Sequence, residues 1–461
     1  MSPTKHATSR RETPRRPGAA MSNDAMKKEN EALTRVGQGT LMGNLMRQYW
    51  LPAMRSDELE AGGSPVRLLL LGEKLIAYRN PSGVVGVMDH QCPHRNASLF
   101  FGRNEEGGMR CVYHGWQFDT SGQCVDLPNI PDGEAFKAKI KATAYTAFEK
   151  HGVVWVFMGD QAKVPPTPKI EVMDAEDGEI ELEFALRECN YLQCLEGDID
   201  TSHLAFLHVG NVEPEQLASS DPMKYVVSNR RPELEVSDAP WGTTYCAFKT
   251  TEDGGKYLRF ANFMFPFWSQ APQGEFETNL FSRAWVPMDD THTMSITMTW
   301  RKRPPTFKPM KDGKELPGVA PLQLLPNSTD WLGRFRTVQN LANDFLIDRE
   351  AQRSNRIFTG IENIGVQDQA MTDSMGEITD RSREHLSPSD IMIARTRRRL
   401  LRAARDLEGK GTPPPGVNDP FVYQLARSGE LIVENADDWQ AVYEEHLKDA
   451  VRISDAVAPQ Q

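Results

Sequence analysis

Apolar residues in the first third of the chain fall into short runs rather than helical stripes. Residues 66–71, 74–78 and 84–89 are such runs, broken at Gly72-Glu73 and at Asn80-Pro-Ser-Gly83. Runs of this length bounded by Gly, Pro and Asn predict strands joined by tight turns. Two more, 109–113 and 153–158, lie on either side of a Ser121-Gly122 turn. Together they predict a small all-β unit, closed by the proline-rich linker Gln161-Ala-Lys-Val-Pro-Pro-Thr-Pro168.

Beyond the linker the pattern is mixed. A strand is expected over 179–187, a helical segment from about Asn190, strands near 243–249, 258–263 and 293–300, and helices afterwards. The clearest helix opens at Ser387-Pro388, with a serine cap, proline at the first position and Asp390 in the first turn. Ile393, Leu400, Ala404 and Leu407 share one face, and Gly409 is the expected stop. Its other face carries Arg395, Arg397, Arg398, Arg399, Arg402 and Arg405, either a solvated or subunit-facing stripe or a docking surface for an acidic partner. No internal repeat is found. The expected organisation is α+β, with a tail over 1–29, a β-rich domain over 30–160 and a second domain over 161–461.

Composition narrows the function classes. The 461 residues hold 53 Lys+Arg against 64 Asp+Glu, a net charge of −11, which argues against bulk nucleic-acid binding. The apolar runs are far too short for a spanning helix, so no membrane role is expected. Seven Lys and Arg fall in the first thirty residues, with no apolar stretch of signal-peptide length. A disordered basic tail is expected there, with Met21 or Met26 as alternative starts. Six Cys in so long a chain is no disulfide framework, which implies a reducing, cytoplasmic setting.

Two of those cysteines sit beside histidines. Residues 92–94 read Cys-Pro-His and residues 111–114 read Cys-Val-Tyr-His, so two short loops each offer one thiolate and one imidazole. Sixteen residues separate the loops, enough for a hairpin that brings them face to face. Two Cys on one iron and two His on the other is the ligand set of a Rieske [2Fe–2S] centre, with a potential of about −150 to +300 mV. A Cys₂His₂ zinc site is the alternative, but zinc sites usually keep Cys with Cys and His with His.

A second constellation lies in Glu196-Gly-Asp-Ile-Asp-Thr-Ser-His-Leu-Ala-Phe-Leu-His208. On a helix Asp200 and His203 stand about 60° apart and share a face, whereas His203 and His208 stand about 140° apart, so one sits at a helix end or distortion. Two imidazoles and a carboxylate form the facial triad of non-haem Fe(II) oxygenases, which leaves positions open for O₂ and substrate. A distant carboxylate is needed as third ligand, and Asp344 in Asn343-Asp-Phe-Leu-Ile-Asp-Arg-Glu350 is the preferred candidate.

These motifs resemble the oxygenase α subunit of Rieske non-haem iron aromatic ring-hydroxylating oxygenases, in the phthalate 4,5-dioxygenase-like branch. The likeness runs from Asn30 onward and includes Tyr49-Trp-Leu-Pro-Ala53, Cys189-Asn-Tyr-Leu-Gln193, Phe358-Thr-Gly-Ile361 and Asp373-Ser-Met-Gly376. The resemblance implies an all-β Rieske domain followed by a helix-grip (START-like) catalytic domain of antiparallel sheet plus helices. It implies one [2Fe–2S] cluster on Cys92, His94, Cys111 and His114, with Trp116 as its shield or an ordinary core aromatic. It places one Fe(II) per subunit on His203, His208 and Asp344.

The same resemblance makes Asp200 a bridge that carries electrons to the iron from His114 of the next subunit, with Asp198 as runner-up. A homotrimer or stacked hexamer is then required, served by a flavin/iron–sulfur reductase using NADH. The implied reaction is hydroxylation of a small aromatic, phthalate-like substrate with O₂. O-demethylation of an aromatic ether is the alternative outcome, and a pure electron carrier the alternative class. A substrate carboxylate needs a basic partner. Arg230, Arg231, Arg259 and Lys249 are the candidates.

Overall fold

The computed structural model describes residues 22–131, 133–304 and 307–453. Most of the tail expected over 1–29 lies outside the described residues. Its end is helical: Ser22 caps a helix over Asn23–Thr34, accepting from the Ala25 amide. That helix is tied to the C-terminal region through Asn30, whose side chain meets Thr379 O and Arg381.

Six antiparallel strands form the main sheet of the first domain, in the spatial order Trp50–Arg55, Val153–Phe157, Ala144–Lys150, Val85–Asp89, Glu73–Arg79 and Val66–Leu70. Val153–Phe157 is apolar throughout and buried at every position, as a central strand covered on both faces must be. Leu71 and Gly72 both take positive φ (47° and 78°), giving the two-residue hairpin that suits the strand twist. The hairpin tip is also an interdomain clasp, because Leu71 N–H and Gly72 N–H donate to Pro287 O and Met288 O. A second, four-stranded sheet of Arg103–Glu105, Gly108–Arg110, Gln117–Phe118 and Cys124–Asp126 carries the loop that holds the second Cys-His pair.

The second domain is built on an antiparallel sheet in the order Ile180–Arg187, Thr293–Trp300, Phe281–Pro287, Trp268–Gln270, Lys256–Met264, Gly242–Thr250 and Glu233–Ala239. Gly429–Val433 also pairs with Lys256–Met264, setting Glu430 opposite Arg259. Helices Tyr191–Asp198 and Ile364–Ser374 lie against each other over this sheet.

The long helix begins as the sequence predicts, with Ser387 capping a single 3₁₀ turn at Pro388–Asp390, and continues as Ile391–Lys410. It ends at Gly411, which takes the left-handed φ of 64°, rather than at Gly409. Its arginine face is divided: Arg398, Arg402 and Arg405 are exposed, as a solvated stripe would be, whereas Arg395, Arg397 and Arg399 are partly buried. Arg397 binds Glu196 and Glu384, Arg395 binds Asp238, Arg399 donates to the carbonyls of Ala239 and Gly242, and Arg405 meets Glu29. Arg395, Arg397 and Arg399 fasten the helix to the rest of the domain.

Candidate metal centres and cavity

The two Cys-His loops are folded alike. Cys92 N–H donates to Ala97 O and Asn96 N–H to Cys92 O, while Cys111 N–H donates to Trp116 O and Gly115 N–H to Cys111 O, all at 2.8–2.9 Å. Gly115 takes φ 82°, and a Cβ there would lie 2.6 Å from Pro128 Cγ, so this turn requires glycine. Both thiols are buried, and the His94 and His114 ring centroids stand 4.5 Å apart. Trp116 stacks on His94 at 4.2 Å and 8°, and its indole N–H donates to Asn129.

The donor chemistry fits a two-iron cluster. Burial, with Cys111 close by, pushes the Cys92 thiol up to about 12, so a cation in place of its proton is what makes the thiolate tenable there. His114 Nδ1 is buried and has no hydrogen-bond partner among the described residues. Two thiols and two half-buried imidazoles thus converge from facing turns with a nitrogen left open.

The second centre grows from the end of helix Tyr191–Asp198. Asn190 caps this helix and also holds Thr34 O and Asp290 O, which fixes its direction. After the helix, Asp200 Oδ1 accepts from the amide and hydroxyl of Ser202, a local turn that stops the helix. A one-turn helix, Leu204–Leu207, follows with His203 at its start and His208 at its end. Both histidines therefore flank a helix end, where the sequence suggested that one would. His203 Nε2 and His208 Nε2 lie 3.2 Å apart, and Asp200 Oδ2 stands 3.5 Å from His203 Nδ1.

The carboxylate that meets the two imidazoles is Asp368, not Asp344. Asp368 Oδ1, on helix Ile364–Ser374, lies 3.2 Å from His208 Nε2 and 3.6 Å from His203 Nε2. The three side chains present donor atoms within 4.8 Å of one another, the spacing a single metal ion needs. Asp344 sits exposed in the Leu341–Leu346 turn at φ 51°, outside this group. Burial opposes the Asp368 charge, but His208, His203 and Arg283 hold its carboxyl at about 2. Two imidazole nitrogens and a carboxylate facing one another without an intervening donor fit a divalent cation.

A cavity of about 690 Å³ opens onto this triad, a size that takes a single-ring ligand with room to spare. Of the four basic candidates, Arg259 reaches its wall. It donates to Thr201 Oγ1 and Pro272 O, and its Nε lies 3.3 Å from Glu430 Oε1. The Arg230 guanidinium instead donates to Ala205 O and Gly210 O, and Arg231 is exposed elsewhere. Lys249 closes the end of helix Met223–Ser228 by donating to the carbonyls of Tyr225, Val226 and Asn229.

Sequence reasoning passed over Arg283, which also lines the cavity and pairs with Asp198 at 2.5 Å. Ser269 donates to the other Asp198 oxygen, so both oxygens of the alternative bridge residue already have a partner within the chain. Tyr245 and Tyr257 line the same cavity, and their hydroxyls are buried with no hydrogen-bond partner among the described residues.

Comparison with known proteins agrees with this geometry. Residues 49–142 match the Rieske [2Fe–2S] domain model, and residues 156–459 match the model described as LigXa C-terminal domain like. The chain therefore belongs to the Rieske non-haem iron aromatic ring-hydroxylating oxygenases, as an oxygenase subunit with one [2Fe–2S] cluster and one mononuclear iron. Within that family it stands in the phthalate 4,5-dioxygenase-like branch.

It is 49% identical to the 3-chlorobenzoate-3,4-dioxygenase oxygenase subunit of Comamonas testosteroni, over 93% of this chain and 100% of that one. It is 34% identical to the phthalate 4,5-dioxygenase oxygenase subunit of Pseudomonas putida, over 92% and 96%. The fold is shared with the terminal oxygenase of carbazole 1,9a-dioxygenase from Nocardioides aromaticivorans IC177, at a TM-score of 0.50 and 19% identity, over 83% and 99%. Among the described residues no helix is long and apolar enough to cross a membrane.

Proposed function

We propose that this chain hydroxylates a single-ring aromatic monocarboxylate, held in the cavity beside His203, His208 and Asp368. The observation that carries this reading is a triad opening onto a 690 Å³ cavity whose wall presents Arg259. When bound, iron on these three residues supplies O₂ activation, fed one electron at a time from a cluster on Cys92, His94, Cys111 and His114. Arg259 offers its guanidinium to the substrate carboxylate. Glu430 beside Arg259 already offsets its charge, which favours a benzoate-like anion over a phthalate dianion.

Asp200 is the electron bridge in this reading. One of its oxygens is taken by Ser202, the other faces His203, and its side chain keeps 21% of its surface open to a neighbouring copy. His114 of that copy would complete the path, so turnover needs a homotrimer or stacked hexamer, with an NADH-dependent reductase as electron source.

The test is a panel of benzoate, 3-chlorobenzoate, phthalate and a neutral benzamide, with reductase and NADH, following oxygen uptake against product. Coupled turnover on the monocarboxylates supports the reading. Preference for benzamide, or uptake without product on every compound, overturns it. A cis-diol product rather than a phenol separates dihydroxylation from monooxygenation.

A further inference from the structure

The two histidines of the triad are held from behind by different groups. His203 Nδ1 faces the carboxylate of Asp200, whereas His208 Nδ1 lies 2.7 Å from Gln367 Oε1. Gln367 is 1% exposed, sits next to Asp368 on the same helix, and its amide nitrogen lies 2.6 Å from Ile361 O. Donor and acceptor roles along this chain follow from its backbone end. A carbonyl oxygen only accepts, so the Gln367 NH₂ group faces Ile361 and its oxygen faces His208. His208 Nδ1 must then carry the hydrogen, which leaves the Nε2 lone pair directed at His203 Nε2 and Asp368 Oδ1, each 3.2 Å away.

We propose that Gln367 is a positioning residue that fixes His208 in its Nδ1–H tautomer, with Nε2 aimed at the metal position. The proposal rests on reading His203, His208 and Asp368 as the iron site. The neutral amide gives the site an asymmetry: one imidazole is polarised by a carboxylate, the other by an uncharged acceptor. The Nδ1–H bond also helps set the plane of the buried His208 ring from the side opposite His203 and Asp368.

The test compares Gln367→Met, which keeps length and apolar volume but has no acceptor for an imidazole N–H, with Gln367→Glu, which keeps the acceptor. Ferrous iron binding to iron-depleted, cluster-loaded protein should weaken by about 10- to 100-fold in the Met variant and recover to within a few-fold of wild type in the Glu variant. The second readout needs no iron. Histidine ¹⁵N chemical shifts in the iron-free protein should report Nδ1–H at His208 in wild type and a mixed tautomer in Gln367→Met. Equal iron affinity in the Met variant, or an unchanged His208 tautomer, overturns the proposal. Loss of binding in both variants with unaltered melting and cluster spectrum also overturns it, since the acceptor would then not be what matters. Wild type that takes up no iron beyond the cluster shows instead that the iron-site reading itself has failed.

Discussion

Exchange of Asp368 for asparagine tests the corrected metal ligand. The substitution keeps side-chain volume and removes the one anionic donor of the three, 3.2 and 3.6 Å from the two imidazole nitrogens. Losing an outer partner of a metal ligand costs about 10- to 100-fold in affinity, so losing a charged ligand should reach at least about 100-fold. That factor corresponds to about 2.7 kcal/mol. Asp344→Asn is the matched control, because that carboxylate lies on an exposed turn. Iron and acid-labile sulfide assays of purified protein should give about three Fe and two sulfides per chain for wild type and Asp344→Asn. Asp368→Asn should give about two of each, with an unaltered visible cluster spectrum and no product formation. Retention of the third iron in Asp368→Asn, or its loss in Asp344→Asn, would refute the assignment.

Asp200→Asn should keep both metals and the cluster spectrum while coupled turnover falls about 100-fold, read by single-turnover cluster oxidation with substrate present; wild-type rates would remove the bridge role. Glu430→Gln unmasks the charge on Arg259, so the kcat/KM ratio of phthalate to benzoate should rise about tenfold, equivalent to 1.4 kcal/mol, and an unmoved ratio would show that this pair does not set selectivity. Glu196→Gln strands Arg381 and Arg397 and should cost about 3 kcal/mol at pH 7 by urea denaturation, the lower end for a broken buried pair because Glu384 still holds Arg397. Burial raises the Glu196 pKa, but the two arginines outweigh it and hold it below the ordinary value. Its contribution is therefore complete above the unfolded-state pKa of about 4.3 and is lost as pH falls through the lower folded value. The gap between wild type and variant should narrow steadily as pH falls below about 4.3, and a gap that does not narrow in acid would assign the loss to packing instead.

What the sequence revealed was mostly local. Each Cys-His loop closes within six residues through its own backbone hydrogen bonds, so spacing alone carries the geometry. The same holds for Asp200, His203 and His208, whose turn and one-turn helix are written into consecutive residues. Asp368 was hidden because its partners lie about 160 residues away and its helix breaks the usual rule. On Ile364–Ser374 the buried residues include Gln367, Gln369, Thr372 and Asp373, so apolar periodicity does not mark the inner face. In the preferred Asn343–Glu350 segment, Asp348 and Glu350 serve backbone and surface instead. Asp348 caps the next helix through two amides and pairs with Arg356, and Glu350 pairs with Arg353.

Strand Val153–Phe157 stood out by its unbroken apolar run, whereas Trp268–Gln270 and Gly429–Val433 are too short to leave a period. Arg395 and Arg397 of the long helix resembled the solvated arginines beside them because their acidic partners, Asp238 and Glu196, come from distant segments.

The acidic trio Glu196, Asp198 and Asp200 shows how surroundings divide labour among like groups. The three lie two residues apart along one segment, yet each meets a different surface. Glu196 turns to Arg381 and Arg397 and Asp198 to Arg283 and Ser269, with side chains 10% and 7% exposed. Both carboxylates are engaged at each oxygen, and they clamp the end of helix Tyr191–Asp198 to the C-terminal helices and to the sheet. Asp200, at 21%, pairs with no lysine or arginine among the described residues and faces a triad imidazole instead. A rigid helix end is what makes that exposure useful. For the bridge role proposed for Asp200, the two engaged carboxylates just ahead of it in the chain would hold in place the helix end from which it projects.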